Sequence, residues 1–317
     1  MESQIPPQGL VTTADAYRHC REVARTEAQN FYWSFRVLPR HKSDAMCAVY
    51  AFMRKADDLS DDESKSIETR RAEMHSWLTA WRASRVTPSV DPVFVALADT
   101  QQRFNIPDAL LEELVAGTTM DLQPGAEGSA GEIDPATGIQ TYATFEDLYR
   151  YCYLVASVVG LVCIRIFGYN STRAEKYAEE TGIAFQLTNI LRDVKEDVER
   201  SRVYLPMDLM DEFAETIPEL RELASGRSIT EHERGMLATL AIRAEKYYVS
   251  AKKLLPLIDR DSRAALWVLV TIYHRLLGRI AERKMDVFTE RASLSTAEKM
   301  SVLARGALLA AWYRIVA

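Results

Sequence analysis

The chain has 317 residues, of which 48% are hydrophobic, and its 39 basic and 45 acidic side chains leave a net charge of −6. That size and hydrophobicity allow a sizeable core and argue against global disorder. Only 13 glycines and 11 prolines weigh against an all-β or turn-repeat architecture, and the lack of any Lys/Arg block makes nucleic acid a poor partner.

The opening residues, MESQIPPQGL, lack the basic-then-apolar pattern of a secretory signal. Helical periodicity takes over at once and predicts helices over 12–29 and 42–59, with Ser43 or Asp44 as the N-cap of the second. The second ends in Asp57-Asp58-Leu59-Ser60-Asp61-Asp62. Tyr50, Arg54, Asp57, Asp58 and Asp61 fall on one side of it, flanked by Ala48, Val49, Ala51 and Phe52. Arg54, one turn before the aspartates, fits either an i,i+4 ion pair with Asp58 or a planar fork for a diphosphate.

Further helices are predicted over 66–83, 91–104 and 107–122, followed by a loop over 123–141 rich in Gly, Pro, Ala and Thr. The loop could be a linker, but the helices on its two sides share one character, which favours a single all-α domain with a long surface loop. The next helix, 143–168, contains Tyr151-Cys152-Tyr153-Leu154-Val155-Ala156-Ser157-Val158-Val159-Gly160. Its small residues Ala156, Ser157 and Gly160 would let another helix approach closely, and by itself the stretch reads as ordinary core.

The helix over 172–199 carries the second acidic cluster, Asp193-Val194-Lys195-Glu196-Asp197, 136 residues after the first. Gln186, Asn189, Asp193, Asp197 and Arg200 form a narrow polar stripe bounded by Phe185, Leu187, Ile190, Leu191 and Val194. An exposed charged strip is one reading of it; the lining of a polar cavity is the other. Carboxylates four residues apart near a helix C-terminus repel one another and the macrodipole. Two such clusters make sense if a strong cation sits between them, and magnesium, which combines one or two carboxylates with water and phosphate, is the natural choice.

Helices over 230–256, 260–285 and 295–315 complete the set, the first opened by a Thr230/Glu233 capping box. No run of alternating strand pattern and no internal repeat appears. Residues 302–317 are apolar and carry only Arg305 and Arg314; a helix packed on the core is favoured there, and peripheral membrane contact stays open. The longest apolar stretch, around Leu154 to Ile164, is about half of what spans a bilayer, so a soluble, cytoplasmic protein is expected. Cys20, Cys47, Cys152 and Cys163 show no metal-type spacing and read as buried thiols. The five histidines lie far from the acidic clusters, and no phosphate loop, G-x-S-x-G, H-E-x-x-H or dinucleotide fingerprint occurs.

Taken together, these segments resemble the squalene/phytoene synthase family, the head-to-head trans-isoprenyl diphosphate synthases. The resemblance runs from about Phe31 to Ile280. It rests on F-Y-W-S-F-R-V-L-P (31–39), Y-A-F-M-R-K-A-D-D-L-S-D (50–61), M-D-L (120–122) and the 151–160 segment, then on F-Q-L-T-N-I-L-R-D-V-K-E-D (185–197) and R-V-Y-L-P (202–206). It implies a single-domain helical bundle around a central cavity, with both aspartate motifs at the mouth binding magnesium through Asp57, Asp61, Asp193 and Asp197. Asn30, Phe31, Tyr50, Arg54, Gln186, Asn189, Arg192, Arg202 and Tyr204 would bind substrate, and Tyr151 would serve in catalysis as a proton acceptor, unless diphosphate itself does so. Asn30 stands where the family usually has serine, and the 123–141 loop is longer than the family pattern.

Ser60 and the Ala156–Gly160 stretch look more like members that join two C15 farnesyl diphosphates into presqualene diphosphate, with or without continuing to squalene. The alternative is a phytoene synthase joining two C20 geranylgeranyl diphosphates. NADPH use stays open, since squalene-forming relatives bind it without the fingerprint. A non-catalytic binding or assembly protein on the same fold would be expected to have lost metal ligands; all four aspartates are present. A terpene cyclase would also carry aspartate-rich motifs, but R-V-Y-L-P after D-V-K-E-D is not its pattern.

Overall fold

The computed structural model describes residues 11–28, 30–62, 64–122, 131–133 and 137–315, except the side chains of Asn30, Phe31, Trp33, Asp121 and Arg314. Among the described residues the fold is all-α apart from one minimal hairpin, and the chain divides into two compact units. One comprises residues up to Leu122 together with Arg165–Phe167; the other comprises Gln123–Ile164 and Gly168–Ala317. Their boundary falls where the 123–141 loop begins, and because the chain returns to the first unit at Arg165, neither is one uninterrupted stretch.

The first unit contains α1 (Thr13–Glu27), α2 (Asn30–Phe35), α3 (Arg40–Ser60), α4 (Ile67–Ala83), α5 (Pro92–Phe104) and α6 (Asp108–Thr119), closed by a 3₁₀ turn, Met120–Leu122. Local chemistry sets the ends. Asp91 caps α5 by accepting from Val93 N at 2.8 Å, with Pro92 at the first helical position, and Asn105 ends it in the left-handed region at φ 49°. The expected cap of α3 is corrected. That helix begins at Arg40 behind Pro39, one turn before Ser43, and Asp44 instead accepts from Arg21 at 2.8 Å. Proline fixes φ and needs no N–H, so it starts the helix earlier than a side-chain cap would. α3 is the core of this unit: Phe52 sits 4.9 Å from both Trp77 and Trp81, and buried Lys42 donates to the Phe167 carbonyl at 2.7 Å.

The second unit contains a hairpin of β1 (Glu132–Ile133) and β2 (Gln140–Thr141), α7 (Phe145–Cys152), a π-helical turn (Tyr153–Ser157) and most of α8 (Val158–Phe167). α9 (Arg173–Glu199), α10 (Met207–Glu212), α11 (Ile217–Ala224), α12 (Glu231–Leu254), α13 (Arg260–Glu282) and α14 (Thr296–Ile315) follow. The Thr230/Glu233 capping box is present, with Thr230 N donating to Glu233 Oε2 at 2.5 Å. The two-residue strands correct the expectation of no strand, and they are too short to show alternation. α2, α10 and α11, of six, six and eight residues, are likewise too short for a periodic signal.

α9 runs through the middle of this unit, burying Ile183, Ala184, Leu187, Ile190, Leu191, Val194 and Val198 against α11, α12, α13 and the π turn. The helix expected over 143–168 is continuous in course, yet its centre is π-helical, which one-residue-wide changes in pitch hide from periodicity. At this turn two backbones nearly touch. A Cβ added to Gly182 of α9 would lie 2.5 Å from Ser157 Cα, and the Ser157 hydroxyl donates to the Glu179 carbonyl at 2.7 Å. Gly160 likewise faces the Ala178 carbonyl, 3.2 Å from where its Cβ would be, so the small residues serve close approach as expected. Two segments, Phe145–Phe167 and Arg260–Glu282, are long and apolar enough to cross a membrane, and in each 44% of the most apolar 18-residue window is buried within the structure. The four cysteines are free thiols, three buried and Cys163 partly so.

Candidate active site

On the first unit, the acidic motif ends α3. Asp57 is partly exposed, Asp58 and Asp61 are exposed, and Asp61 is the C-cap, its N–H bonding the Asp57 carbonyl at 2.8 Å. No basic residue lies in the last turn to answer the macrodipole, so these carboxylates sit at the unfavourable end of the helix. Arg70 supports the terminus by donating to the Ser60 carbonyl at 2.7 Å. Arg54 pairs with Asp58 at 2.8 Å and reaches Glu27 at 3.8 Å, yet its Nε is buried with no partner among the described residues. Tyr50 lies one turn earlier, and burial pushes its hydroxyl pKa up. Asn30 and Phe31 lie in α2, and their side chains fall outside the described residues.

On the second unit, the stripe of α9 is a partly buried polar line. Asn189 Nδ2 donates to Gln186 Oε1 at 3.3 Å, while Asn189 Oδ1 is buried without a partner among the described residues. Asp193 is held by two guanidinium groups. Arg192 grips it with both nitrogens, through Nε at 2.7 Å and through its terminal nitrogen, and Arg291 donates from Nε at 2.8 Å. Arg291 also reaches Glu196 Oε1 at 3.4 Å, leaving Glu196 Oε2 buried and unpartnered among the described residues. Burial pushes the Asp197 carboxyl up to about 7, with the charges of Asp193 and Glu196 adding to it and those of Arg202 and Arg200 opposing.

Around this stripe lies an aromatic wall. Tyr151, Tyr204 and Tyr142 are all buried, with ring centroids 4.8 Å apart for Tyr151 and Tyr204, 5.5 Å for Tyr142 and Tyr204, and 5.3 Å for Tyr142 and Tyr151. Tyr273 of α13 stacks on Phe185 at 4.4 Å and bonds the Asn189 side chain. The hairpin fixes the segment that follows α9. Gln140 bridges to Arg202, Val203 N donates to the Gln140 carbonyl at 2.9 Å, and Arg202 N donates to the Asp197 carbonyl, also at 2.9 Å. The end of the long loop therefore buttresses the second acidic motif.

Arg291, Tyr142, Tyr273 and Glu196 contact or flank the predicted site residues, and none of them was assigned a role from the sequence. Arg291 lies 98 residues beyond Asp193, and nothing local marks it. Glu196 lay inside the D-V-K-E-D run and could have been found there.

The residues suit a hard cation. Among the described residues no three His, Cys, Asp or Glu side chains are gathered as a ready-made cage. Magnesium does not need one, because it commonly takes one or two carboxylates and completes its shell with water and phosphate. A carboxyl at Asp197 whose charge its surroundings disfavour, beside a buried Glu196 oxygen with no partner, is an environment that a bound cation would relieve.

Residues 24–298 match the family model described as squalene/phytoene synthase. The chain is 39% identical over 295 residues to a phytoene synthase of Mycobacterium tuberculosis, covering 91% of this chain and 89% of that protein. It is 32% identical over 305 residues to a phytoene synthase of Arthrospira platensis, covering 92% of each. Among solved structures it is similar to a dehydrosqualene synthase in complex with ligand, with a TM-score of 0.78, 26% identity and coverage of 93% of this chain and 96% of that one. The chain belongs to the squalene/phytoene synthase family, with the all-α helical-bundle fold of the isoprenoid synthases. It is an isoprenoid-biosynthesis transferase whose reaction is the head-to-head condensation of prenyl diphosphates.

Proposed function

We propose that this enzyme joins two C20 geranylgeranyl diphosphates, as a phytoene synthase does, with magnesium held by Asp57, Asp61, Asp193 and Asp197. The observation that carries the reading is the 39% identity to a phytoene synthase across about nine-tenths of both chains. That outweighs the C15 preference suggested by Ser60 and by Ala156–Gly160, two short stretches in a long match.

Magnesium bound together with diphosphate would neutralise charge on the leaving group. Arg54, Arg192, Arg202 and Arg291 would hold diphosphate oxygens, guanidinium being suited to bidentate contact. Arg192 and Arg291 are engaged on Asp193, so substrate and metal would have to share or replace those bonds. In the first step the C1–O bond of one allylic diphosphate breaks and its electron pair leaves with diphosphate. The double bond of the second substrate then bonds to the allylic cation, and loss of a proton closes a cyclopropane. The tyrosine wall of Tyr142, Tyr151 and Tyr204 presents ring faces that favour positive charge, and Tyr151 is the side chain we assign to relay the proton, taking it on its hydroxyl oxygen as its own hydroxyl proton passes to the departed diphosphate. The apolar flanks of α9 keep water from the cation.

A second reading, condensation of two C15 farnesyl diphosphates, is favoured by the 26% identity to a dehydrosqualene synthase structure. Product analysis with both substrates side by side, with and without NADPH, separates the two. Rearrangement to phytoene needs no hydride, so reductant dependence would speak against the C20 reading.

A further inference from the structure

The second acidic motif holds a lysine whose bond its charged neighbours do not explain. Lys195 stands among Asp193, Glu196, Asp197 and Glu199, where a lysine would ordinarily answer a carboxylate. Its amine instead donates to the Phe288 carbonyl at 3.2 Å, 93 residues further on. Phe288 belongs to the loop over 283–294 that follows α13, and at Arg291 the same loop delivers a guanidinium to Asp193 and Glu196.

Short-range bonds fix the backbone of this loop. Lys284 and Met285 turn it through the left-handed region at φ 53° and 61°, and Arg234 of α12 donates to the Lys284 carbonyl. Thr289 closes on Asp286, its N–H donating to Oδ1 at 3.1 Å and its hydroxyl to Oδ2 at 3.0 Å, while Arg283 donates to the Glu290 carbonyl at 3.0 Å. The Arg291 side chain is held less firmly. It is 53% exposed, so its ion pairs with the motif are of the weak, solvent-screened kind. They are also bonds that a substrate diphosphate would have to take over. An arginine released from Asp193 keeps its aim only if the backbone behind it stays in place. The Lys195 bond ends on a carbonyl outside the charged cluster, so a ligand that takes the carboxylates does not compete for it.

We propose that Lys195 is a positioning residue, tying the loop to α9 so that Arg291 stays at the site as it passes from Asp193 to diphosphate. This rests on the diphosphate role given to Arg291 above and does not depend on substrate length.

The test is a double-mutant cycle between Lys195→Met, which keeps the side-chain length and removes the donor, and Arg291→Gln. It is read by steady-state kinetics and by calorimetric titration of inorganic diphosphate in magnesium buffer. Lys195→Met should lower kcat/KM and weaken diphosphate binding by about five- to tenfold, while melting within about 2 °C of the wild type. Lys195→Arg, which keeps a donor of similar reach, should recover most of both. In the Arg291→Gln background, Lys195→Met should cost less than about twofold, because the group it positions is gone. Should Lys195→Met disturb folding, Lys195→Gln takes its place in the same cycle. Arg291→Gln without effect on diphosphate binding would refute the Arg291 assignment and this proposal with it. With Arg291→Gln impaired, an unchanged Lys195→Met protein would overturn the positioning role alone. So would losses that simply add in the double variant, which would mean that Lys195 meets diphosphate directly.

Discussion

Replacing Gly182 by alanine tests the close backbone approach between α9 and the π turn in the second unit. The added methyl would lie 2.5 Å from Ser157 Cα, 2.7 Å from Ser157 N and 2.9 Å from the Ala156 carbonyl carbon. All three neighbours are backbone, so no side chain can swing away; α9 and the π turn must part by about 1 Å to reach ordinary contact. Overpacking of this kind costs roughly 2–4 kcal/mol, against about 1 kcal/mol gained by replacing a helical glycine. The net is a destabilisation of about 1–3 kcal/mol, or an apparent Tm lower by roughly 2–5 °C. Activity should fall further than stability, because the parting helices carry Tyr151 on one side and Gln186 and Asn189 on the other. Gly278→Ala is the control. It lies in α13 with nothing within 4 Å of the added carbon, so it should leave Tm unchanged or raise it slightly. Circular dichroism melts and turnover measured well below Tm check both variants. A Gly182→Ala protein as stable and active as the wild type would refute the close-approach argument.

Chelation should abolish turnover without loss of helical circular dichroism, and Asp57→Asn and Asp193→Asn should each cost at least about a hundredfold in kcat while melting normally; full activity in excess chelator, or unfolding of either variant, would count against a metal role. Arg54→Lys keeps the charge but not the planar fork, so kcat/KM should fall at least about tenfold, and near-normal kinetics would leave the Arg54–Asp58 helix pair as the whole account. Glu215 is buried with Oε1 unpartnered among the described residues, and burial, reinforced by Glu233 and Glu219 and opposed by Arg227 and His232, lifts its carboxyl from 4.5 to about 7. The folded state therefore binds the extra proton, its stability is full below about pH 4.5 and is lost as pH rises through 7, and Glu215→Gln should raise Tm at pH 8 but not at pH 4.5.

Most helices were legible because amphipathic runs of a dozen residues or more carry their own period; α9 starts and ends within a residue of its expected span. The Thr230 capping box was legible for the same reason, being wholly local. What escaped is what depends on distant or very short segments. The π turn lies against Gly182 of another helix, a contact that no local pattern marks. Arg291 reaches Asp193 across 98 residues, and Tyr142 joins Tyr151 and Tyr204 only once the hairpin has folded onto the Arg202 segment. The acidic motifs themselves were plain, since paired carboxylates at helix ends are costly and draw notice. Substrate length was not. It depends on the volume enclosed by many side chains, and the few residues of Ser60 and Ala156–Gly160 pointed to C15 where the relatives at highest identity reported above favour C20.

The central claim is a head-to-head condensation of C20 units, and the most direct measurement is product analysis. Purified enzyme with magnesium, given geranylgeranyl and farnesyl diphosphates side by side without NADPH, should release diphosphate and convert the C20 substrate to phytoene, with the C15 substrate used far less well. Exclusive turnover of farnesyl diphosphate, or a C30 product that forms only when NADPH is added, would contradict it.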